Sequence, residues 1–483
     1  MAGIKVPTID ELDELLDDKT YEIYEKGLTC TINQADSNWA TNLIKTYKPR
    51  SVAEMSAFVA VIRPGCASFL EDFINRKIHT TNIPELDDLL KEGSQRLLYQ
   101  ELIMKYLVWL GIPETGSYDI IKKIAKKKFK EPELKELKAK LLDGWMTKLH
   151  TTEGFEETWQ AVEDAAHYSF NASHSLAYAY DSLYGAYLKS HYPLEYYTVA
   201  LNMYNEDAER TARLTEELQY FKITLKSPKF GHSKSEYVLD RETNTIYKGC
   251  KSIKYVNEEV PNALYELAKN NYKTFSELLG DIKQTGINSR QLEILIKLDF
   301  FDVFGNSKEL MILVELFDTF KWGDAKQISK DKLEEVSFIR QALDKYCTQT
   351  EKKYIVPDKA TCLKILNELE SQIKASNLTD YSLKDKIQWQ QEYLGYTSAS
   401  GRKEDSRLLI VKDIATVKRK SDGKQFGYGI IFQSIGSGKQ IRMTALNPVY
   451  KNCGEIKKGD VIYCIDYAKK GAYYNITKYK KFE

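Results

Sequence analysis

Before about residue 400 the apolar positions recur mostly every three to four residues; beyond it they alternate. Leu98, Leu102, Ile103, Tyr106 and Leu107 share one face of a helical repeat and read as core. Thr8 followed by Glu11 predicts a capping box at the start of one or two short acidic helices over Thr8 to Glu25. Asp10, Asp13, Asp17 and Asp18 spread around such a helix axis, so they form a solvated face and not a metal site. Ser51 to Phe69 is an apolar helix broken at Ile62-Arg63-Pro64-Gly65. A polar turn at Asn171-Ala172-Ser173-His174 opens a helical pattern that ends at Pro193, and helices over Leu194 to Tyr204 and Glu206 to Phe221 follow. A short hairpin is expected from Val238-Leu239-Asp240 to Ile246-Tyr247-Lys248, and Gly305 to Lys384 reads as helical. From Leu408 five strands are expected: Leu408 to Val417, Phe426 to Phe432, Gln440 to Leu446, Asp460 to Tyr467 and Ala472 to Lys478, with a helix-sized insert near Pro448.

A chain of 483 residues is too long for one core. The pattern divides it into 1–204, 205–305, a helical connector over 306–400, and 401–483, with a Ser-, Gly- and charge-rich linker at Thr397 to Ser406. A hydrophobic fraction of 43% beside 29% charged residues fits a soluble globular protein. No run of about 18 apolar residues suggests a membrane span, and Met1 to Pro7 has no apolar run of signal-peptide type, so a cytoplasmic location is expected. The seven cysteines contain no Cys-x-x-Cys pair or zinc spacing and read as reduced thiols. The net charge of +1 says little, but residues 402–483 hold 18 Lys and Arg against 8 Asp and Glu. That basic excess suits nucleic acid.

Four stretches offer chemistry. At Phe170 to Tyr178, Asn171 or Ser173 can cap the helix, its first amides point at one spot, and His174 adds a donor that charges near neutral pH. By themselves these residues fit a capped helix with a buried histidine better than a phosphate site. Arg63, fixed before a Pro-Gly turn, offers forked donors suited to phosphate oxygens; a surface arginine covering a helix end is an equal reading. Lys122, Lys123, Lys126 and Lys127 make a positive surface that suits either phosphates or plain solvent. In the C-terminal strands Tyr428, Phe432, Tyr473 and Tyr474 interleave with basic residues such as Arg442, the mixture that base stacking and backbone tracking use; an ordinary small barrel with an aromatic core is the other reading.

These stretches resemble the bacterial and phage DNA polymerase III alpha subunits, the C-family replicative polymerases. Ser169 to Tyr178 followed by Tyr187-Leu188-Lys189-Ser190-His191-Tyr192-Pro193-Leu194-Glu195-Tyr196 is similar to the family phrases "GFNKSHSxAYA" and "YLKxHYPxEF". Thr31 to Ser37 resembles "GVFQxES", Ile62 to Cys66 "RPGP" with Cys66 for the second proline, and Tyr99-Gln100-Glu101 "VYQEQ". Tyr118 to Lys128 resembles "ADxLRRAMGKKK" with lysines for the arginine pair. Gly249 to Asn257 is similar to "GLxxIKxVG" with Asn257 for the hairpin glycine, where Asn tolerates a left-handed backbone. Glu392 to Tyr396 resembles "ExLGFY".

The resemblance implies a multidomain chain: mainly α-helical fingers, a tandem helix-hairpin-helix module, then a small all-β OB-fold barrel. It implies incoming-nucleotide contacts at Arg63, Lys122, Lys123, Lys126, Lys127, Asn171, Ser173, His174, Gln100 and Tyr99. It implies DNA contacts at Lys251, Lys254 and Asn257, and single-strand contacts at Tyr428, Phe432, Arg442, Tyr473 and Tyr474. The family holds two Mg2+ ions on palm carboxylates, an Asp-x-Asp pair and a third Asp. No Asp-x-Asp occurs in these 483 residues, so no metal ligand or catalytic residue is expected here. The expectation is one piece of a split or truncated polymerase, inactive alone, that takes dNTP, template-primer and single-stranded DNA. Its expected partner is a palm-bearing subunit or N-terminal half, with a sliding clamp and other replisome proteins as further candidates. A non-catalytic DNA-binding or regulatory protein derived from polymerase fingers is the alternative.

Overall fold

The computed structural model describes residues 3 and 5–482, apart from 127, 169, 322–323, 331–336, 396, 398–405, 420, 437–439 and 472. The chain divides into two compact units between Ile223 and Thr224.

The first unit is helical. Its N-terminal part holds α1 (Ile9–Leu15), α2 (Asp18–Lys26), α3 (Asn38–Tyr47), α4 (Val52–Val61), α5 (Leu70–Ile74), α6 (Pro84–Leu89) and α7 (Gln100–Trp109). Then follow α8 (Glu114–Ala125), α9 (Glu131–Leu149), α10 (Phe155–Tyr168), α11 (Ala172–His191), α12 (Pro193–Met203) and α13 (Ala208–Glu217). The Thr8 capping box is present, with Thr8 Oγ1 accepting from Glu11 N at 3.2 Å and Glu11 Oε2 accepting from Thr8 N at 2.7 Å. α11 runs through the unit and packs on α2 and α4, where Ser175 Oγ donates to the Ser56 carbonyl at 2.6 Å. The expected face of α7 is buried: Leu98, Leu102, Ile103, Tyr106 and Leu107 all lie in one core. Gly144 lets α9 touch the end of α7, since an added Cβ would stand 2.0 Å from the Leu110 carbonyl oxygen.

In the second unit β1 (Thr224–Lys226) pairs parallel to β3 (Thr245–Tyr247), and β2 (Val238–Asp240) pairs antiparallel to β3. The helices α14 (Glu259–Leu267), α15 (Phe275–Ile282), α16 (Ser289–Lys297) and α17 (Ser307–Thr319) follow. The stretch read as purely helical also contains a small antiparallel sheet. There β4 (Gln327–Ser329), between α17 and α18 (Ser337–Tyr346), joins β5 (Thr348–Gln349) and β6 (Lys353–Ile355), between α18 and α19 (Lys359–Ala375), in the order β4-β6-β5. Strands of two or three residues are too short to show a period of two, which is why the pattern hid them. α20 (Leu383–Leu394) leads to the C-terminal strands β7 (Leu408–Lys418), β8 (Gln425–Ser434), β9 (Gln440–Leu446), β10 (Val461–Lys470) and β11 (Tyr473–Lys481).

These close into a barrel in the order β10-β11-β9-β8-β7, with α21 (Asn447–Cys453) between β9 and β10. Only the β9–β11 pair is parallel, with Thr444 opposite Asn475. Gly427 permits the close β8–β9 approach, because a Cβ there would lie 2.5 Å from the Ala445 carbonyl oxygen. Five strands, one inserted helix and an inner layer of Val411, Ile430, Phe432, Met443, Ile462 and Ile476 make this barrel OB-like.

Candidate functional site

Asn171 caps α11: its Oδ1 accepts from His174 N at 3.0 Å. His174 is exposed, which corrects the reading of a buried histidine. Its ring lies 4.9 Å from Phe170 and 4.5 Å, edge to face, from Tyr178. Phe170 in turn carries the Arg63 guanidinium 4.4 Å from its ring centroid. Arg63 stands just before the 3-10 turn Pro64–Cys66, and its Nη2 donates to Gln34 Oε1 at 3.0 Å. Its Nε is buried without a hydrogen-bond partner. Three separate stretches of sequence, around Gln34, around Arg63 and from Phe170 to His174, thus meet in one cationic and aromatic cluster.

A fourth stretch closes the helix start. Glu101 accepts from Ala172 N at 2.9 Å and from Asn171 Nδ2 at 2.6 Å. Two of the N-terminal amides of α11 expected to face a phosphate, those of Ala172 and His174, are therefore already taken by Glu101 and Asn171, a carboxylate being the natural internal ligand for a positive helix end. Ser173 is exposed beside them. Gln100 joins through its backbone, donating to the Phe170 carbonyl at 3.1 Å. Tyr99 is buried, reaches Ser56 Oγ at 3.5 Å and has its phenol pKa raised by burial, so it is a packing residue and not a ligand contact. Burial likewise pushes the Cys66 thiol up to about 11, which leaves it unreactive.

Lys122, Lys123 and Lys126 are exposed on and just after α8, and Lys127 lies outside the described residues. Lys122 sits 5.7 Å over Tyr118 and Lys123 5.6 Å over Phe129, apart from the Arg63 contacts. The link between the two groups is α10, which packs on both α8 and the 3-10 turn after Arg63.

In the second unit the loop before α14 carries the expected lysines. Lys254 is exposed and its amide donates to the Tyr393 carbonyl at 2.9 Å, while Lys251 pairs with Glu258 at 3.1 Å. The left-handed residue of this hairpin is Tyr255, at φ 69°, and not Asn257, which is exposed two residues on. Tyr255 is held by α16: Gln291 Nε2 donates to its carbonyl at 3.2 Å and the Arg290 guanidinium lies 3.8 Å from its ring centroid. Arg290 was missed from sequence because it reads as one more polar position in a helix.

On the barrel, Phe432 is fully buried and cannot meet a strand; it shares the inward parity of Ile430 on β8. Tyr428 is half-buried and stacks on Tyr450 at 3.9 Å. Arg442 is exposed. The exposed aromatics cluster at the β10–β11 hairpin, where Tyr473 is 77% exposed and Tyr474 faces Tyr467 at 6.0 Å with Lys469 5.5 Å above its ring. Tyr467 and Lys469 extend the expected pair, and their place across a hairpin from Tyr474 is what groups them.

Residues 3–148 match the bacterial DNA polymerase III alpha subunit finger domain and residues 222–311 match a helix-hairpin-helix motif. The DNA polymerase III subunit alpha of Aquifex aeolicus is 32% identical over 347 residues, 69% of this chain and 30% of that protein. Over these residues the chain belongs to the DNA polymerase III alpha subunit family. The Campylobacter jejuni alpha subunit is 30% identical over 311 residues, 62% of the chain and 26% of the relative, and that of Helicobacter pylori is 28% identical over 320 residues. The match spans less than a third of these relatives' length, so it concerns the fingers and the helix-hairpin-helix part of the family. Members of a polymerase family imply divalent metal, but the carboxylates beside the Arg63 cluster do not fit one: Glu101 is spent on Ala172 and Asn171, and Asp181 on Asn33. Among the described residues no group of three or more His, Cys, Asp or Glu is placed to hold a metal ion, and no helix is long and apolar enough to cross a membrane.

Proposed function

We propose that this chain is the fingers and DNA-binding part of a C-family replicative DNA polymerase. Incoming dNTP meets the Arg63, Phe170 and His174 cluster, with Lys122, Lys123 and Lys126 as outlying point charges for phosphate. Template-primer duplex lies on the hairpin of Lys254, Tyr255 and Arg290, and single strand stacks on Tyr473, Tyr474 and Tyr467. The carboxylates that hold Mg2+ come from a palm outside these 483 residues, on the same or another polypeptide. Along the sequence these three roles fall on 1–204, 205–305 and 401–483 of the four expected segments.

The observation that carries the reading is the convergence of Arg63 and His174 on Phe170. A cation fixed on an aromatic face beside a titratable donor binds an anion without first paying to order its side chains. Primer extension with magnesium tests it: no template-dependent product from this chain alone, product when a palm-bearing segment is added, and a higher KM for dNTP with Arg63→Ala or His174→Ala. Extension by the chain alone, or unchanged constants in both variants, contradicts it. The closed start of α11 favours a second reading, a stand-alone DNA-binding or regulatory protein. Tight DNA binding with no palm-bearing partner on co-purification would support that reading instead.

A further inference from the structure

Residues 28–36 connect α2 to α3 through a loop that is held away from its own backbone preference. Thr31 stands at φ 67° and Gln34 at φ 61°. Neither is glycine, and a β-branched residue is rare in the left-handed region unless its surroundings impose it.

Both ends of the loop are anchored. Lys189 of α11 is fully buried and donates to the carbonyls of Leu28 and Cys30, each at 2.8 Å, and to Glu217 of α13. Three ammonium donors meet three acceptors. Glu217 also accepts from Cys30 N at 3.0 Å and from Tyr197 Oη at 2.7 Å, so the buried pair leaves few loose ends. Burial draws the Lys189 pKa below the usual lysine value, with Glu217 pulling the other way. At the far end Asp36 takes the Thr31 amide at 3.0 Å and Arg213 at 3.1 Å. Gly185 of α11 leaves room beneath for Ile32, whose Cδ1 would lie 3.1 Å from a Cβ there.

What this loop presents outward is the bond from Arg63 Nη2 to Gln34 Oε1, at 3.0 Å. A guanidinium has only donors, so the amide must turn its oxygen inward. That bond and the Phe170 face together hold the guanidinium plane, while Arg63 Nε has no other protein partner to do so.

We propose that Gln34 is a positioning residue: it presets Arg63 for the phosphates of a nucleoside triphosphate, and the Lys189–Glu217 pair holds the loop that presents it. Gln34 itself touches no ligand. The proposal rests on the reading of Arg63 as a nucleotide contact and adds how that contact is prepared.

Two measurements on the full chain test it. The first needs no ligand: rotation of the Arg63 guanidinium about its Cζ–Nε bond, followed in spectra of 15N-arginine-labelled protein with the signal assigned by Arg63→Lys. Slow rotation is expected in the wild type, fast rotation in Gln34→Ala, and slow rotation again in Gln34→Glu, which keeps an acceptor. Gln34→Asn, too short to reach and tolerant of a left-handed backbone, repeats the loss without added strain. Unchanged rotation in Gln34→Ala and Gln34→Asn overturns the proposal whatever the ligand. The second is dGTP affinity by calorimetry. Gln34→Ala should weaken it about tenfold, and the double variant with Arg63→Ala should bind no more weakly than Arg63→Ala alone. Additive losses overturn the positioning role and leave Arg63 as a contact. No dGTP binding by the wild type removes the nucleotide reading and the ligand named here, and the rotation still decides whether Gln34 holds Arg63.

Discussion

The carboxylate of Glu101 sits on the first amide of α11, accepting from Ala172 N at 2.9 Å. It joins the first turn of α7 to the first residue of the central helix, 71 residues later. Replacing it by Ala leaves the Ala172 amide without this acceptor and Asn171 Nδ2 without its partner. Loss of a cap of this kind costs about 1 kcal/mol. Chemical denaturation of Glu101→Ala should show that loss, with a smaller one for Glu101→Gln. If dGTP binding fell in Glu101→Gln while stability held, Glu101 would be a ligand contact and not a cap.

The barrel separates two aromatics that look equivalent in sequence. Phe432 is buried and Tyr473 is 77% exposed. Phe432→Ala should cost about 3–5 kcal/mol of barrel stability through the cavity it leaves. Tyr473→Ala should leave the melting temperature nearly unchanged and weaken binding of a short oligothymidylate by about 1–3 kcal/mol. Fluorescence anisotropy and thermal melts together distinguish the two; equal strand affinity in Tyr473→Ala would move single-strand binding off this hairpin.

Duplex binding by the hairpin region should be electrostatic. Lys254→Ala and Arg290→Ala should each lower the slope of log affinity against log salt by about 0.9 for B-form DNA. Arg290→Lys is expected to keep the slope but lose the stack on Tyr255, seen at 3.8 Å. A salt titration in which neither alanine variant changes the slope would place the duplex on another face.

Glu370 of α19 caps α15, accepting from Phe275 N at 2.9 Å and Ser276 N at 2.8 Å, and pairs with Lys374 at 2.8 Å. Burial alone would raise its pKa, but Lys374, Ser276 and the Phe275 amide outweigh it, and the net value lies below the ordinary glutamate value of 4.5. A depressed folded pKa gives stability that is fully present above the unfolded value and is lost as pH falls through the lower folded one. Wild-type stability should therefore decline below about pH 4.5. Glu370→Gln should be about 2 kcal/mol less stable at pH 7 and lose part of that acid dependence. Parallel pH profiles for the two proteins would exclude Glu370 as the titrating group.

Much of the architecture was set within a few residues of each point. Thr8 with Glu11, and Asn171 before His174, begin helices because a side-chain oxygen reaches an amide three positions on. The strand-like period after Leu408 made a barrel, since the strands had to bury their apolar side chains. The Arg63-Pro64-Gly65 turn was equally local. Tertiary structure decided the rest. Which carboxylate closes α11, which of Tyr255 and Asn257 turns left-handed, and which amide steadies Arg63 depend on partners tens of residues away: Glu101, Gln291 and Gln34. Periodicity and capping are encoded by neighbours along the chain. The pairing of Lys189 with Glu217, or of Gln34 with Arg63, exists only once packed helices bring distant side chains within hydrogen-bond reach.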